Sequence, residues 1–431
     1  MAHKIANIKP WARIKSFFKK LGPGLITGAA DDDPSGIATY SQAGAQFGYA
    51  LLWTALFILP LQTAIQEACA RIGTVTGKGI AAVIKEHYGK KILFGLVSLL
   101  LIANTINIGA DIGAMAAAAQ LIIPIPFVVL CISFTVIILL LEVFISYKVY
   151  AKILKWLCLS LLAYPLTIFI INEDWWTVLK ATFIPHFEFN FQFLFIVLAI
   201  LGTTISPYLF FWQASEVVEE NHGNHLSSSK RKIKKNNKHV FNMRIDNFVG
   251  MLFSQITTWS IIVVAASVLH NNDITDIKTA ADAAKALEPL VHGFPHAGTL
   301  AKVIFAIGII GLGLISIPVL AGSIAYAICE TFDIKKGLDL KFKRARIFYG
   351  IIIVSTLIGL LLNFVGIDPI KALIYAAVIN GIIAVPLIFI IGLIAKNGNI
   401  MGRFTSGVLT NSLIWITFIS MSAAVIGMIF L

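Results

Sequence analysis

Long apolar runs separated by short polar segments make up nearly all of the chain. A helix crossing the hydrocarbon core needs about 20 largely apolar residues. Eleven segments meet that requirement, at 22–45, 50–70, 92–118, 127–147, 153–172, 192–214, 247–269, 299–327, 347–366, 369–395 and 406–430. These runs are too long for strands or for the core helices of a soluble domain, so the pattern predicts an all-α integral membrane protein with 11 transmembrane helices. Between the seventh and eighth spans, the segment 270–298 places Ala280, Ala283, Leu287 and Leu290 at helical spacing, which predicts a short surface helix.

Composition agrees. Of 431 residues, 58% are hydrophobic and 13% charged, about half the charge of an ordinary globular domain. A soluble enzyme, a disordered chain and a secreted disulfide scaffold are thereby excluded. The net charge is +12, and its placement decides its meaning. With the N-terminus inside, 29 of the 34 Lys and Arg fall on inside segments, leaving Lys180, Lys278, Lys285, Lys302 and Lys371 outside. That asymmetry predicts a cytoplasmic N-terminus and an external C-terminus in the cell membrane. The basic cytoplasmic loop 221–246, with Lys230, Arg231, Lys232, Lys234, Lys235 and Lys238, is then a solvated positive-inside loop and needs no nucleic acid as partner. Cys69, Cys131, Cys158 and Cys329 lie in or at the ends of apolar segments and read as reduced packing residues. No small-residue cleavage pattern follows the basic stretch Lys4–Lys20, so no cleaved signal peptide is expected.

Charge inside the bilayer is costly and points to function. Asp31-Asp32-Asp33-Pro34-Ser35-Gly36 falls in the middle of the first span. Proline removes a backbone hydrogen bond and glycine tolerates unwound geometry. The first span is therefore expected to break there, with freed carbonyls and carboxylates facing a cavity. An extracellular loop over 31–36 would leave too few apolar residues before Asp31 to cross. The sixth span has a matching interruption, Gly202-Thr203-Thr204-Ile205-Ser206-Pro207-Tyr208. Breaks in the first and sixth spans are the pattern of an inverted five-helix repeat. The two halves would be 22–172 and 192–395, after the N-terminal segment 1–21 and before helix 11 at 406–430. A cavity rich in acids, hydroxyls and carbonyls favours a cation.

At these residues the chain resembles the Nramp superfamily of divalent-metal transporters. Asp33-Pro34-Ser35-Gly36 matches that family's DPGN signature and Ser206-Pro207-Tyr208 its MPH signature; Gln42 to Tyr49 and Thr76-Gly77-Lys78 resemble its first loop and second helix end. The resemblance implies a LeuT-type 5+5 inverted repeat with broken helices 1 and 6. It also implies a divalent ion as cargo and no cofactor; a monomer in the lipid bilayer is expected, and the lack of a nucleophile–base pair, phosphate loop or metal-ligand His cluster argues against an enzyme. The implied metal ligands are Asp33, the carbonyls of Ala30 and Thr203, and the positions of Gly36 and Ser206, where family members carry Asn and Met. Asp31, Asp32, Pro34, Pro207, Tyr208, Asn107, Asp111 and Asn380 are candidates for pathway or supporting roles.

The departures are informative. Oxygen suits Mg²⁺, Ca²⁺ and Mn²⁺, whereas a thioether suits softer metals. Losing the Asn and Met side chains is also expected to widen the site, which suits an ion that keeps several waters. In this the chain resembles the Nramp-related magnesium transporter branch. Proton-symporting members carry a His after the helix 6 Pro and a Glu three residues after the helix 3 Asp; here Tyr208 and Ala114 stand there, with Asp111 kept. Import of Mg²⁺ and Mn²⁺ by alternating access without protons is the reading that follows. A proton-coupled Mn²⁺ or Fe²⁺ symporter is the alternative, and an amino-acid symporter is opposed by three acids that would repel a carboxylate.

Other polar residues stay open. Asn104, Asn107 and Asp111 share a face of helix 3 and either line the water path or bond neighbouring helices. Ala377 stands where family members place a Gln on helix 10, with Asn380 one turn on. Glu67 and Glu142 read as structural. Glu216, Glu219 and Glu220 are either a cation-attracting vestibule or a solvated rim.

Overall fold

The computed structural model describes residues 28, 30–145, 161–223, 237–338 and 340–431. The N-terminal segment 1–21, Lys148 to Lys155, Lys230 to Lys235 and Cys158 lie outside them. Among the described residues there are helices, turns and loops but no strands. The described chain opens with α1 (Pro34–Phe47), α2 (Trp53–Thr76), α3 (Ile80–His87), α4 (Lys90–Gln120), α5 (Phe127–Phe144) and α6 (Ala163–Ile168). Then come α7 (Trp175–Phe183), α8 (Phe191–Thr204), α9 (Pro207–Gly223), α10 (Asn237–Val268), α11 (Ala280–Lys285) and α12 (Ala297–Thr331). The chain closes with α13 (Arg346–Leu362), α14 (Pro369–Lys396), α15 (Gly398–Met401) and α16 (Val408–Phe430).

Seven described stretches are long and apolar enough to cross a membrane: Lys90–Gln120, Phe127–Phe144, Phe191–Glu219, Met243–Asn272, Ala297–Thr331, Pro369–Lys396 and Val408–Phe430. The remaining four expected spans fall short for identifiable reasons. Spans 1 and 5 are only partly described. Helix α13 has 17 residues. Helix α2 has 24 residues but carries Gln62, Gln66, Glu67 and Arg71. Large apolar side chains face outward along the helices, among them Ile102, Leu140 and Ile419, as expected where lipid rather than water is the neighbour.

Helix α2 runs past the expected end of its span, to Thr76, where Gly77 supplies the left-handed C-cap at φ 69°. Arg71 therefore is not a loop cation. It lies inside α2, with its side chain 2% exposed, 3.0 Å from Glu67, and it donates to Ser406 Oγ at 2.7 Å. Arg244 from α10 reaches the other Glu67 oxygen at 2.8 Å, so Glu67 is structural, as expected. The surface helix expected in 270–298 is shorter than the pattern suggested. It is α11, opened by a Thr279–Asp282 capping box, with Ala280 and Ala283 buried.

Helices α8 and α14 touch at backbone level. A Cβ on Gly202 would stand 2.0 Å from the Ala377 carbonyl oxygen and 2.4 Å from the Gly381 nitrogen. Only glycine permits that approach. Helix α1 packs on α10, α14 and α8, which brings the two breaks together in the buried centre.

Candidate metal site

Both expected breaks are present. Helical structure runs through Asp31, is interrupted at Asp32 and Asp33, and resumes as α1 at Pro34. In the sixth span it stops at Thr204 and resumes at Pro207, leaving Ile205 and Ser206 between. Each new helix opens on a proline, whose missing N–H costs nothing in a first turn. Asp33 caps α1, its carboxylate accepting from the Gly36 N–H at 2.9 Å.

The two breaks meet through hydroxyls. Ser35 Oγ donates to Asp33 Oδ1 at 2.5 Å and lies 3.0 Å from Thr203 Oγ1; Thr203 Oγ1 is itself 3.4 Å from Asp33 Oδ1. Tyr208 spans the gap from α9. Its hydroxyl donates to the Ala30 carbonyl at 2.8 Å and lies 3.3 Å from Asp33 Oδ2. A phenol has one hydrogen, so the shorter bond takes it and Asp33 Oδ2 keeps the weakest partner. Of the carboxylate's two oxygens, Oδ2 is thus the more available to an incoming cation. Asp33 and the Ala30 and Thr203 backbones are fully buried or nearly so.

Two expectations meet a different geometry. The space beside Gly36 is not left open: a Cβ there would stand 3.1 Å from Tyr40 Cε2 and 3.4 Å from Thr203 Oγ1. Tyr40 lies one helical turn on, is wholly buried, and is held by its hydroxyl 3.1 Å from Thr204 Oγ1. The ring fills the room that loss of a side chain at 36 was expected to create. Ser206 likewise turns inward along its own backbone, where its hydroxyl lies 2.8 Å from the Gly202 carbonyl oxygen and 2.6 Å from that of Thr203. The Thr203 carbonyl therefore already holds a hydrogen-bond donor.

The three acids separate. Asp33 faces α8 and α9, whereas Asp31 and Asp32 face α2 and α10: Gln62 Nε2 donates to Asp31 Oδ2 at 2.5 Å, and Ser254 Oγ lies 2.6 Å from Asp31 Oδ2 and 3.1 Å from Asp32 Oδ1. Among the described residues no group of three or more His, Cys, Asp or Glu is arranged to hold a metal, so any ion at Asp33 must draw on carbonyls and hydroxyls. Further off, Ser316 Oγ donates to Asp111 Oδ2 at 2.6 Å. Asn107 and Asn380 are wholly buried with both amide atoms unpartnered. Asn104 instead binds Leu320 and Ser323 of α12, a structural tie. Glu219 accepts from the Tyr326 hydroxyl and from the Leu338 N–H at 3.1 Å, so it belongs to an interhelical contact and not to a solvated rim. The Glu220 side chain lies outside the described residues.

The profile described as natural resistance-associated macrophage protein-like matches residues 24–431, nearly the whole chain. The chain belongs to the Nramp family. Among curated relatives, the divalent metal cation transporter MntH of Klebsiella pneumoniae strain 342 is 27% identical over 405 residues, covering 93% of this chain and 91% of its own. Among solved structures, the Eremococcus coleocola manganese transporter superposes with a TM-score of 0.74 at 17% identity, covering 97% of this chain and 87% of its own. The nucleobase-cation-symport-1 transporter MHP1 shares the fold more loosely, with a TM-score of 0.58 at 11% identity, covering 95% and 92%. This Nramp protein is thus a multi-pass membrane transporter of divalent metal cations and not an enzyme, with the metal as substrate.

Proposed function

We propose that this Nramp protein imports Mg²⁺, and accepts Mn²⁺, by alternating access and without protons. In this reading the N-terminus is cytoplasmic, the C-terminus external, and the helices form two inverted five-helix repeats plus α16. The observation that carries it is the donor set at the breaks. Asp33 Oδ2 is the less satisfied oxygen of its own carboxylate, and the other oxygens at the two breaks include the Ala30 carbonyl and the Thr203 carbonyl and hydroxyl. All are oxygens, and oxygen donors suit hard cations better than soft ones. A cavity of about 290 Å³ lined by Gln42, Gln46, Gln192, Asp276, Lys371 and Tyr375 lies at the external ends of α1, α8 and α14 and serves as the entrance.

Proton independence rests on Tyr208 and Ala114, neither of which can relay a proton near neutral pH. The membrane potential alone supplies about 4.6 kcal/mol per divalent ion at 100 mV, twice the single-charge value, or roughly a thousandfold accumulation. Proton-coupled Mn²⁺ symport is the second reading, favoured by the retained Asp111 and by a structural relative that is itself a manganese transporter. Isothermal titration of the purified protein with Mg²⁺, Mn²⁺, Ca²⁺ and Cd²⁺ separates the two. Saturable Mg²⁺ binding supports the first; Cd²⁺ and Mn²⁺ binding without Mg²⁺ binding supports the second.

A further inference from the structure

Behind Asp33 lies a second polar cluster that the divalent site does not use. Asp31, Asp32, Gln62, Ser254 and Gln255 are all at least 97% buried. Ser254 bridges the two carboxylates, Gln62 donates to Asp31, and Gln255 Nε2 donates to Gln62 Oε1 at 2.7 Å. Three segments therefore converge here: the break in span 1, α2 and α10.

The cluster is short of positive charge and of donors. Among the described residues no ion pair includes Asp31 or Asp32, and Arg71 and Arg244 are both committed to Glu67. Asp31 Oδ1 and Asp32 Oδ2 have no hydrogen-bond partner. Two observations outside the acids point the same way. Gln255, whose Nε2 donates to Gln62 in the chain that ends on Asp31, has its Oε1 buried as an acceptor without a donor. Gln66, one turn along the α2 face that carries Gln62, has both amide atoms buried and unpartnered.

Buried carboxylates without a partner are costly, and orphaned acceptors on carboxylates and a neutral amide together are what a cation takes. The charge of the break selects its valence. Three carboxylates set against a divalent ion at Asp33 leave one negative charge. A second divalent ion would turn that single negative charge into a net positive one inside the bilayer, whereas a monovalent ion cancels it. We propose that Asp31 and Asp32, with Gln62, Ser254 and Gln255, form a second cation site that takes a monovalent alkali ion such as Na⁺. The ion neutralises the far side of the break and so holds Asp33 in position for the divalent substrate. Only the charge count rests on the divalent reading of Asp33; the donor deficit does not.

The test uses the full chain in detergent at constant ionic strength, with NaCl, KCl or choline chloride. Without any divalent ion, a ligand of the folded state raises the melting temperature saturably. Na⁺ is expected to do so relative to choline in the wild type, and to lose that effect in Asp31→Asn/Asp32→Asn. Mg²⁺ titrations should show roughly threefold to tenfold tighter binding in Na⁺ than in choline. Should the double variant not fold, Ser254→Ala keeps both charges and is expected to raise the half-saturating Na⁺ concentration several-fold. A wild type that melts identically in all three salts overturns the proposal without any variant. So does a second equivalent of bound Mg²⁺ that disappears in the double variant, because the site would then be divalent. Absence of Mg²⁺ uptake alongside a saturable Na⁺ shift would instead remove the substrate assignment and leave this site standing.

Discussion

The Tyr208 hydroxyl sits 2.8 Å from the Ala30 carbonyl oxygen and 3.3 Å from Asp33 Oδ2, joining the two helix breaks through the atoms a cation would need. An ion that used both oxygens would have to displace that hydroxyl. Tyr208→Phe is therefore expected to strengthen Mg²⁺ binding. A net hydrogen bond is worth about 0.5–1.5 kcal/mol, so the gain should be roughly twofold to tenfold by calorimetry. Weaker binding in Tyr208→Phe would make the phenol a ligand and not a placeholder.

Asp33 is expected to be the carboxylate that the divalent ion cannot do without. Asp33→Ala should abolish Mg²⁺ uptake in proteoliposomes, whereas Asp32→Ala should leave measurable uptake. The motive is geometric: Asp33 faces Thr203 and Tyr208, while Asp32 faces Ser254. Uptake that survives the first substitution and is lost in the second would assign the ion to the wrong acid.

Gly36 and Tyr40 are expected to be energetically coupled. Gly36→Asn drives a Cβ to within 3.1 Å of the Tyr40 ring, and overpacking of this kind costs about 1–3 kcal/mol. Adding Tyr40→Ala should relieve part of that cost, so the double variant melts higher than additivity predicts. Strict additivity in thermal denaturation would show that the ring yields freely.

Glu67→Gln should destabilise the fold. The Arg71 side chain is 2% exposed, and leaving it without its carboxylate costs about 3–5 kcal/mol. Arg244 is half exposed and adds little, since water screens such pairs. Replacing Arg244 with Ala should thus shift the melting temperature far less than replacing Glu67 with Gln.

Mg²⁺ or Mn²⁺ entry driven by an inside-negative potential should leave the lumen pH unchanged. A pH-sensitive dye trapped in proteoliposomes reads this directly. Substrate-dependent acidification above that of vesicles lacking the protein would reveal a surviving relay, with Asp111, bonded to Ser316, the first residue to replace.

How much of this was legible without coordinates depends on whether a residue acts locally. Asp33-Pro34 and Ser206-Pro207 announce their breaks because proline and capping side chains act within one turn, and both breaks lie where the pattern put them. The sorting of the acids was not legible. Two consecutive residues leave the helix at Asp32 and Asp33, and that turn alone decides which carboxylate faces α8 and which α10. Tyr40 was readable as a neighbour of Gly36 by its spacing of four, yet nothing in the sequence says that the ring folds back over the glycine. Arg71 falls just past the expected span 50–70 yet lies inside α2, because an apolar run marks where hydrophobicity ends and not where the helix does, and the Gly77 cap that extends α2 is a single-residue signal.

The contact of Gly202 with the Ala377 carbonyl has a mechanical consequence. With no side chain between them, α8 and α14 cannot slide past one another without a steric collision, so they travel as one strut. The Ile205 N–H still donates back to the Leu201 carbonyl at 2.8 Å, whereas Ser206 stands outside both helices and its carbonyl accepts from the Leu209 N–H at 3.2 Å. Bending is thereby confined to one joint beside Thr203, and any swing of α9 is transmitted first to Tyr208 and the oxygens it touches.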